Sequence, residues 1–136
     1  MPKIMGVAHV ELSVADLDVS SVWYSKLLGG MEVYRAPNEE EGTVACVVLE
    51  PNAKTLVAFT QHTNAEAGRF TPRRTGLDHV SFGVESEAEI EAWAAHLDAL
   101  GIERSPVRNY GYANAITFQD PDGIALELFQ STLPAL

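Results

Sequence analysis

The chain has 136 residues, 46% of them apolar and 21% charged, enough for one compact globular domain with a core of its own. A formal net charge of −10 disfavours a nucleic-acid partner, because a phosphate backbone would be repelled and no basic stripe is present to neutralise it. No apolar run approaches the ~20 residues of a membrane span, the opening Met1-Pro2-Lys3-Ile4 lacks the apolar core of a secretion signal, and Cys46 has no second cysteine to pair with, so a soluble, cytoplasmic protein is expected.

In chain order, residues 6–14 read as a strand in which Val10, Leu12 and Val14 face a core and His9, Glu11 and Ser13 face the other way. After Asp16 a helix is expected with Val19, Val22, Trp23 and Leu27 on roughly one side, stopped by Gly29-Gly30. Extended runs follow at 31–35, 43–49 and 55–61, separated by turn formers at Pro37-Asn38 and Pro51-Asn52, with Cys46 as core filler in the middle run. Residues 63–75 are polar, carry Arg69, Arg73 and Arg74, and read as a linker.

The order then recurs. Val80, Phe82 and Val84 alternate with His79, Ser81 and Gly83, and Ser86-Glu87-Ala88-Glu89 forms a capping box before a helix with Ile90, Trp93, Leu97 and Leu100 buried. Gly101 ends that helix, and extended runs are expected near 102–104, 113–119 and 124–130, the last two joined by the turn Asp120-Pro121-Asp122-Gly123. At a shift of seventy residues Gly6, His9, Val10, Val14, Trp23 and Leu27 recur as Gly76, His79, Val80, Val84, Trp93 and Leu97. Coincidence of both a histidine and a tryptophan makes duplication the better explanation. The chain therefore reads as an α+β fold of two βαβββ modules, module 1 at about 4–62 and module 2 at about 76–131.

The repeat pairs His9 with His79, and a pseudo-twofold arrangement of the modules would turn both toward one concave surface. Glu127 is the natural anionic partner: Ile124, Leu126 and Leu128 take the core face, leaving Ala125, Glu127 and Phe129 on the other. An isolated charge beside apolar residues is costly, and coordination of a divalent cation offsets the cost. A strand histidine is commonly just a hydrogen-bonded residue, but repetition favours the ligand reading of His9, His79 and Glu127, with Fe(II), Mn(II), Ni(II), Co(II) or Zn(II) as candidates. Strand alternation adds Ser81, Phe129, Tyr110 and Tyr112 as candidate substrate-binding residues. Trp23 and Trp93 are expected in the core, and His62 and His96, which lack repeat partners, at the surface.

Gly6-x-x-His9-Val10, Leu27-Leu28-Gly29, Gly76-x-x-His79-Val80 and Phe118-x-Asp120-Pro121-Asp122-Gly123-x-x-x-Glu127-Leu128 together resemble the vicinal oxygen chelate superfamily, which includes glyoxalases, extradiol dioxygenases, fosfomycin-modifying enzymes and bleomycin resistance proteins. The resemblance covers nearly the whole chain. It implies paired βαβββ modules curved into a cup, a homodimer, and one divalent metal on His9, His79 and Glu127. The implied function is that of a metal-dependent lyase, isomerase or dioxygenase whose small substrate chelates the metal through neighbouring oxygens. Ala58, which matches Glu127 at an offset of 69, departs from the glyoxalase pattern of a fourth ligand there; Glu11, two residues past His9, is a candidate catalytic substitute beside Glu127. Thr117 stands where extradiol enzymes tend to carry a tyrosine, and Glu11 where fosfomycin-modifying relatives carry a threonine. The alternative is a metal-free, antibiotic-sequestering protein, which the acidic charge would suit.

Overall fold

The computed structural model describes residues 1–134. The chain divides into two compact units, Met1–Gly68 and Arg69–Leu136. In the first, β1 (Val10–Ser13) leads into α1 (Leu17–Leu28), followed by β2 (Met31–Asn38), β3 (Thr43–Leu49) and β4 (Leu56–His62). These strands form one sheet in the order β1-β4-β3-β2, with β1 parallel to β4 and the other pairs antiparallel. The second unit repeats the plan: β5 (Val80–Gly83), α2 (Glu87–Ala99), β6 (Arg108–Asn109), β7 (Ala113–Gln119) and β8 (Ala125–Ser131), ordered β5-β8-β7-β6 with β5 parallel to β8. Among the described residues no helix is long and apolar enough to cross a membrane.

Local chemistry explains the helix ends. Asp16 caps α1 by accepting from the Val19 amide at 3.0 Å, and Gly29 closes it with φ 60°, a left-handed geometry that favours glycine. Gly30 is required for a different reason: a Cβ there would lie 2.3 Å from the Leu49 carbonyl oxygen. Ser86 caps α2 by accepting from the Glu89 amide at 3.2 Å.

Each helix covers one face of its own sheet. Leu17, Ser20, Ser21, Tyr24, Leu27 and Leu28 form the buried side of α1, and the Tyr24 ring packs on Phe59 at 4.6 Å. This corrects the expected stripe, because Val19 and Val22 are half exposed. The 3–4–3 spacing from Leu17 carries Tyr24 inward, and Val19 and Val22 lie outside that row. In α2 the buried residues are Ile90, Ala94 and Leu97; Leu100 is the exposed C-cap and Trp93 is half-buried beside His96, which is itself half-buried rather than exposed. Trp23 is likewise half-buried and meets Tyr24 edge-on at 4.9 Å.

Three strand expectations also change. Pro37 and Asn38 continue β2, and the turn comes at 39–42. β2 is an edge strand, where a residue without an amide hydrogen is tolerated. The first strand begins at Val10, after a fully exposed stretch in which Gly6 has φ 126°. The run at 102–104 shrinks to a single bridge, Arg104 with Phe118, two residues before Pro106, which has no amide hydrogen to continue a ladder; the Arg104 guanidinium meets Asp98 at 2.9 Å and the Ala94 carbonyl at 3.2 Å.

Equivalent turns launch the last strand of each unit. Asp120 Oδ1 accepts from the Asp122 and Ile124 amides at 2.9 and 2.8 Å, and Gly123 has φ 78°. In the first unit Glu50 accepts from the Asn52 and Ala53 amides at 2.9 and 2.7 Å, and Lys54 has φ 57°. Position 54 matches 123 at the offset of 69, so the repeat is kept in backbone conformation. Arg69 lies over Gly123, where a Cβ would meet its Nη2 at 3.0 Å, and the Phe70 amide donates to the Asp122 carbonyl at 3.4 Å.

Asp120 is 5% exposed, so removing its oxygen strands two backbone donors. Asp120→Ala should lower unfolding free energy by about 2 kcal/mol in urea melts, whereas Asp120→Asn, which keeps an acceptor, should recover most of the loss.

Candidate functional site

In the second unit, β5 lies parallel to β8 with Ser81 opposite Glu127 and Gly83 opposite Phe129. Leu126 and Leu128 point into the core, so Glu127 and Phe129 share the sheet face away from α2. The Ser81 hydroxyl donates to Glu127 Oε1 at 2.8 Å, and His79 Nε2 lies 3.6 Å from the same oxygen. On its other side His79 Nδ1 is 2.7 Å from Asp78 Oδ1. With the proton on Nδ1 toward Asp78, Nε2 presents a lone pair to a carboxylate oxygen. Two such acceptors face one another favourably only with a proton or a cation between them. Glu127 is the more enclosed partner, its side chain 16% exposed against 43% for His79.

The first unit offers a related pair from a different strand. His9, just ahead of β1, places Nε2 3.7 Å from Oε2 of Glu11 on β1, and Thr60 on β4 donates its hydroxyl to Glu11 Oε1. β1 lies parallel to β4 with Glu11 opposite Ala58, the same register as Ser81 opposite Glu127. Each unit thus carries one imidazole and one carboxylate held by a hydroxyl, with the carboxylate on the last strand in one unit and on the first in the other.

Donors at about 2.1 Å from one cation lie roughly 3 to 3.5 Å from each other. Separations of 3.6 and 3.7 Å before any ion draws them in fit that requirement, and imidazole with carboxylate suits a borderline divalent metal. Among the described residues no three His, Cys, Asp or Glu side chains form a group that could hold a metal ion; the close imidazole–carboxylate contacts are the pairs His79–Glu127 and His9–Glu11.

Of the expected substrate-binding residues, Tyr110, Tyr112 and Phe129 form a ladder: Tyr110 stacks on Tyr112 at 6.1 Å, and Tyr112 meets Phe129 at 6.3 Å. Thr117, exposed, stands directly across from Glu127 in the β7–β8 register. In the first unit a groove of about 720 Å³ is lined by Glu11, Tyr34, Glu39, Glu40, Glu41, Thr43, Thr60 and His62, among others. His62 is exposed there, 3.5 Å from the Ser13 hydroxyl. Cys46 is wholly buried on the helix-covered face, and burial pushes its thiol up, which agrees with a core role.

Two partners were missed by sequence reasoning. Asp78 precedes His79 where the first copy has Ala8, so the repeat itself concealed it. Thr60 was legible, since it lies two residues past Ala58 and alternation puts it on Glu11's face.

Known proteins resemble this chain over most of its length. A family model described as the Glyoxalase/Bleomycin resistance protein/Dioxygenase superfamily matches residues 6–128. The crystal structure of a glyoxylase/bleomycin resistance protein/dioxygenase domain from Frankia sp. EAN1pec superposes with a TM-score of 0.85 at 30% identity, covering 95% of this chain and 99% of that one. MhqA of Bacillus subtilis, named as a candidate ring-cleaving dioxygenase, is 29% identical over 126 residues; these are 90% of this chain but 39% of MhqA, so the chain spans well under half of that relative. The metallothiol transferase FosB of Bacillus licheniformis is 27% identical over 128 residues, 93% of this chain and 75% of FosB.

A carboxylate kept for structure differs measurably from one kept despite its cost. Glu127→Met should leave the metal-free protein as stable as before or raise its stability by about 1 kcal/mol in urea melts, because the change removes a poorly solvated charge from an apolar strand. A structural role would give a clear loss.

Proposed function

The chain belongs to the Glyoxalase/Bleomycin resistance protein/Dioxygenase superfamily, and from that premise we propose that it is a metal-dependent enzyme using His9, His79 and Glu127 to hold one divalent cation. Its substrate is a small molecule presenting two neighbouring oxygens. The observation that carries this reading is the run Asp78–His79–Glu127, in which a carboxylate fixes the imidazole on one side and a second carboxylate faces its free nitrogen at 3.6 Å. Carboxylate-backed histidines of this kind are the usual support for a metal ligand.

A bound divalent cation would supply Lewis-acid polarisation of the chelating oxygens. The remaining roles fall to the chain's own side chains. Ser81 orients Glu127, Asp78 fixes the ring of His79, and the Tyr110–Tyr112–Phe129 ladder offers an apolar shelf for the body of the substrate beside those donors. The named relatives include a ring-cleaving dioxygenase and a metallothiol transferase, so dioxygenase and transferase chemistry are both represented among them.

Sequestration without chemistry is the second reading, and the groove of the first unit favours it: Glu11, Glu39, Glu40 and Glu41 line it and no lysine or arginine does. Tight calorimetric binding of a cationic glycopeptide by metal-free protein, without turnover, would select that reading.

Protein purified without chelator and supplemented with Mn(II), Fe(II) or Zn(II) should retain about one equivalent of metal by elemental analysis, and His79→Ala should reduce affinity at least about tenfold. Absence of stoichiometric metal in the unaltered protein after supplementation would contradict the enzyme reading.

A further inference from the structure

We infer that the sheet face of the second unit that carries Glu127 selects a planar substrate bearing an anionic group, which Arg108 receives while Tyr112 and Phe129 pack against the ring. The inference names a substrate class for the site proposed above and rests on that reading only in setting the reacting end at Glu127.

Unbalanced charge singles out Arg108. The chain has 19 acidic residues against 9 lysines and arginines, and strands β5 to β8 contain one of those nine, Arg108 on β6. Strands β1 to β4 also contain one, Arg35 on β2, and it is neutralised by Glu32 at 2.7 Å and Asp18 at 2.8 Å. Arg104 is likewise held by Asp98. Among the described residues the exposed Arg108 guanidinium has neither an ion pair nor a hydrogen bond; what fixes the residue is the backbone pairing of β6 with β7.

Register puts this cation on the face of Glu127. Arg108 pairs with Ala115 and Ala115 with Phe129, so the three side chains leave one face in one row. Glu127 and Phe129 are i and i+2 on β8, which makes it the face of Glu127 and Ser81 as well. Two strand spacings and one two-residue step put the α-carbons of Arg108 and Glu127 about 12 Å apart. In that span β7 contributes only Ala115, which is buried, and Thr117, which is exposed.

The aromatic ladder supplies the apolar part of the surface. Tyr110 and Tyr112 are 46% and 53% exposed, and Tyr112 meets Phe129 at 6.3 Å. Exposed rings beside an unneutralised guanidinium complement a ring that itself carries negative charge. Stacking removes apolar surface from water, and the planar fork of the guanidinium takes a carboxylate by two parallel hydrogen bonds. A cationic ring would be repelled, and a neutral one would leave the guanidinium without a partner. This polarity is the reverse of the acidic groove of the first unit.

The test is titration of metal-free full-length chain with naphthoate and with its neutral isostere naphthamide, read by saturation-transfer NMR and by shifts of the tyrosine ring protons. Without metal, coordination of the carboxylate cannot produce a preference. The unaltered chain should bind naphthoate at least about tenfold more tightly than naphthamide. Arg108→Gln should bring the two within about twofold, and Tyr112→Ala should weaken both by a similar factor of about five, with circular dichroism unchanged. A preference that survives Arg108→Gln, equal binding of the two probes by the unaltered chain, or binding of neither, would overturn the inference. Metal retention by the unaltered chain, measured in parallel, keeps its failure distinct from failure of the metal-binding reading.

Discussion

The parallel pairing of the first strand of each unit against its last is the constraint from which the rest of the site follows. β1 and β5 are only four residues long, yet their register decides which side chains stand beside which. A slip of one residue would send His9 or His79 to the helix-covered face and bury the charge of Glu11 or Glu127 in the core. The register is secured from both ends. Leu12 and Val14, with Leu126 and Leu128, lock the apolar side, and the Glu50 and Asp120 turns fix where the neighbouring strands begin and end.

On that frame, stability and function divide between the faces of each sheet. The helix-covered faces hold Tyr24, Phe59, Cys46, Ile90, Leu97 and Leu126, a conventional core with nothing left over for chemistry. The opposite faces carry His9, Glu11, Thr60, His79, Ser81 and Glu127, polar groups that contribute little to folding and cost something where, as at Glu127, water is partly excluded. Duplication supplied two equivalent imidazoles. The copies differ in where a carboxylate stands, on the first strand of one unit and the last strand of the other, and the Tyr110–Tyr112–Phe129 ladder belongs to the second unit.

Much of this was legible in the sequence because the signals were periodic. Strands Thr43–Leu49 and Ala113–Gln119 fall where the extended runs between turn formers place them, and the repeat aligns Ala58 with Glu127 as the observed registers do. The failures have particular causes. Val19 and Val22 look like a helix core stripe until Tyr24 and the two small serines, Ser20 and Ser21, claim the sheet-facing side. Pro37 reads as a turn unless its strand is known to lie at an edge. Asp78 was hidden because a repeat draws the eye to what the copies share, and this carboxylate is where they differ.

The central proposal is that His9, His79 and Glu127 hold one divalent cation. Electron spin-echo envelope modulation of the Mn(II)-loaded chain measures it most directly, because imidazole nitrogen bound to the ion modulates the echo and the depth reports the number of rings. The account predicts the modulation of two imidazoles in the unaltered chain, falling to one in His9→Ala and to one in His79→Ala. Modulation from a single ring that survives either substitution, or none at all, would contradict it.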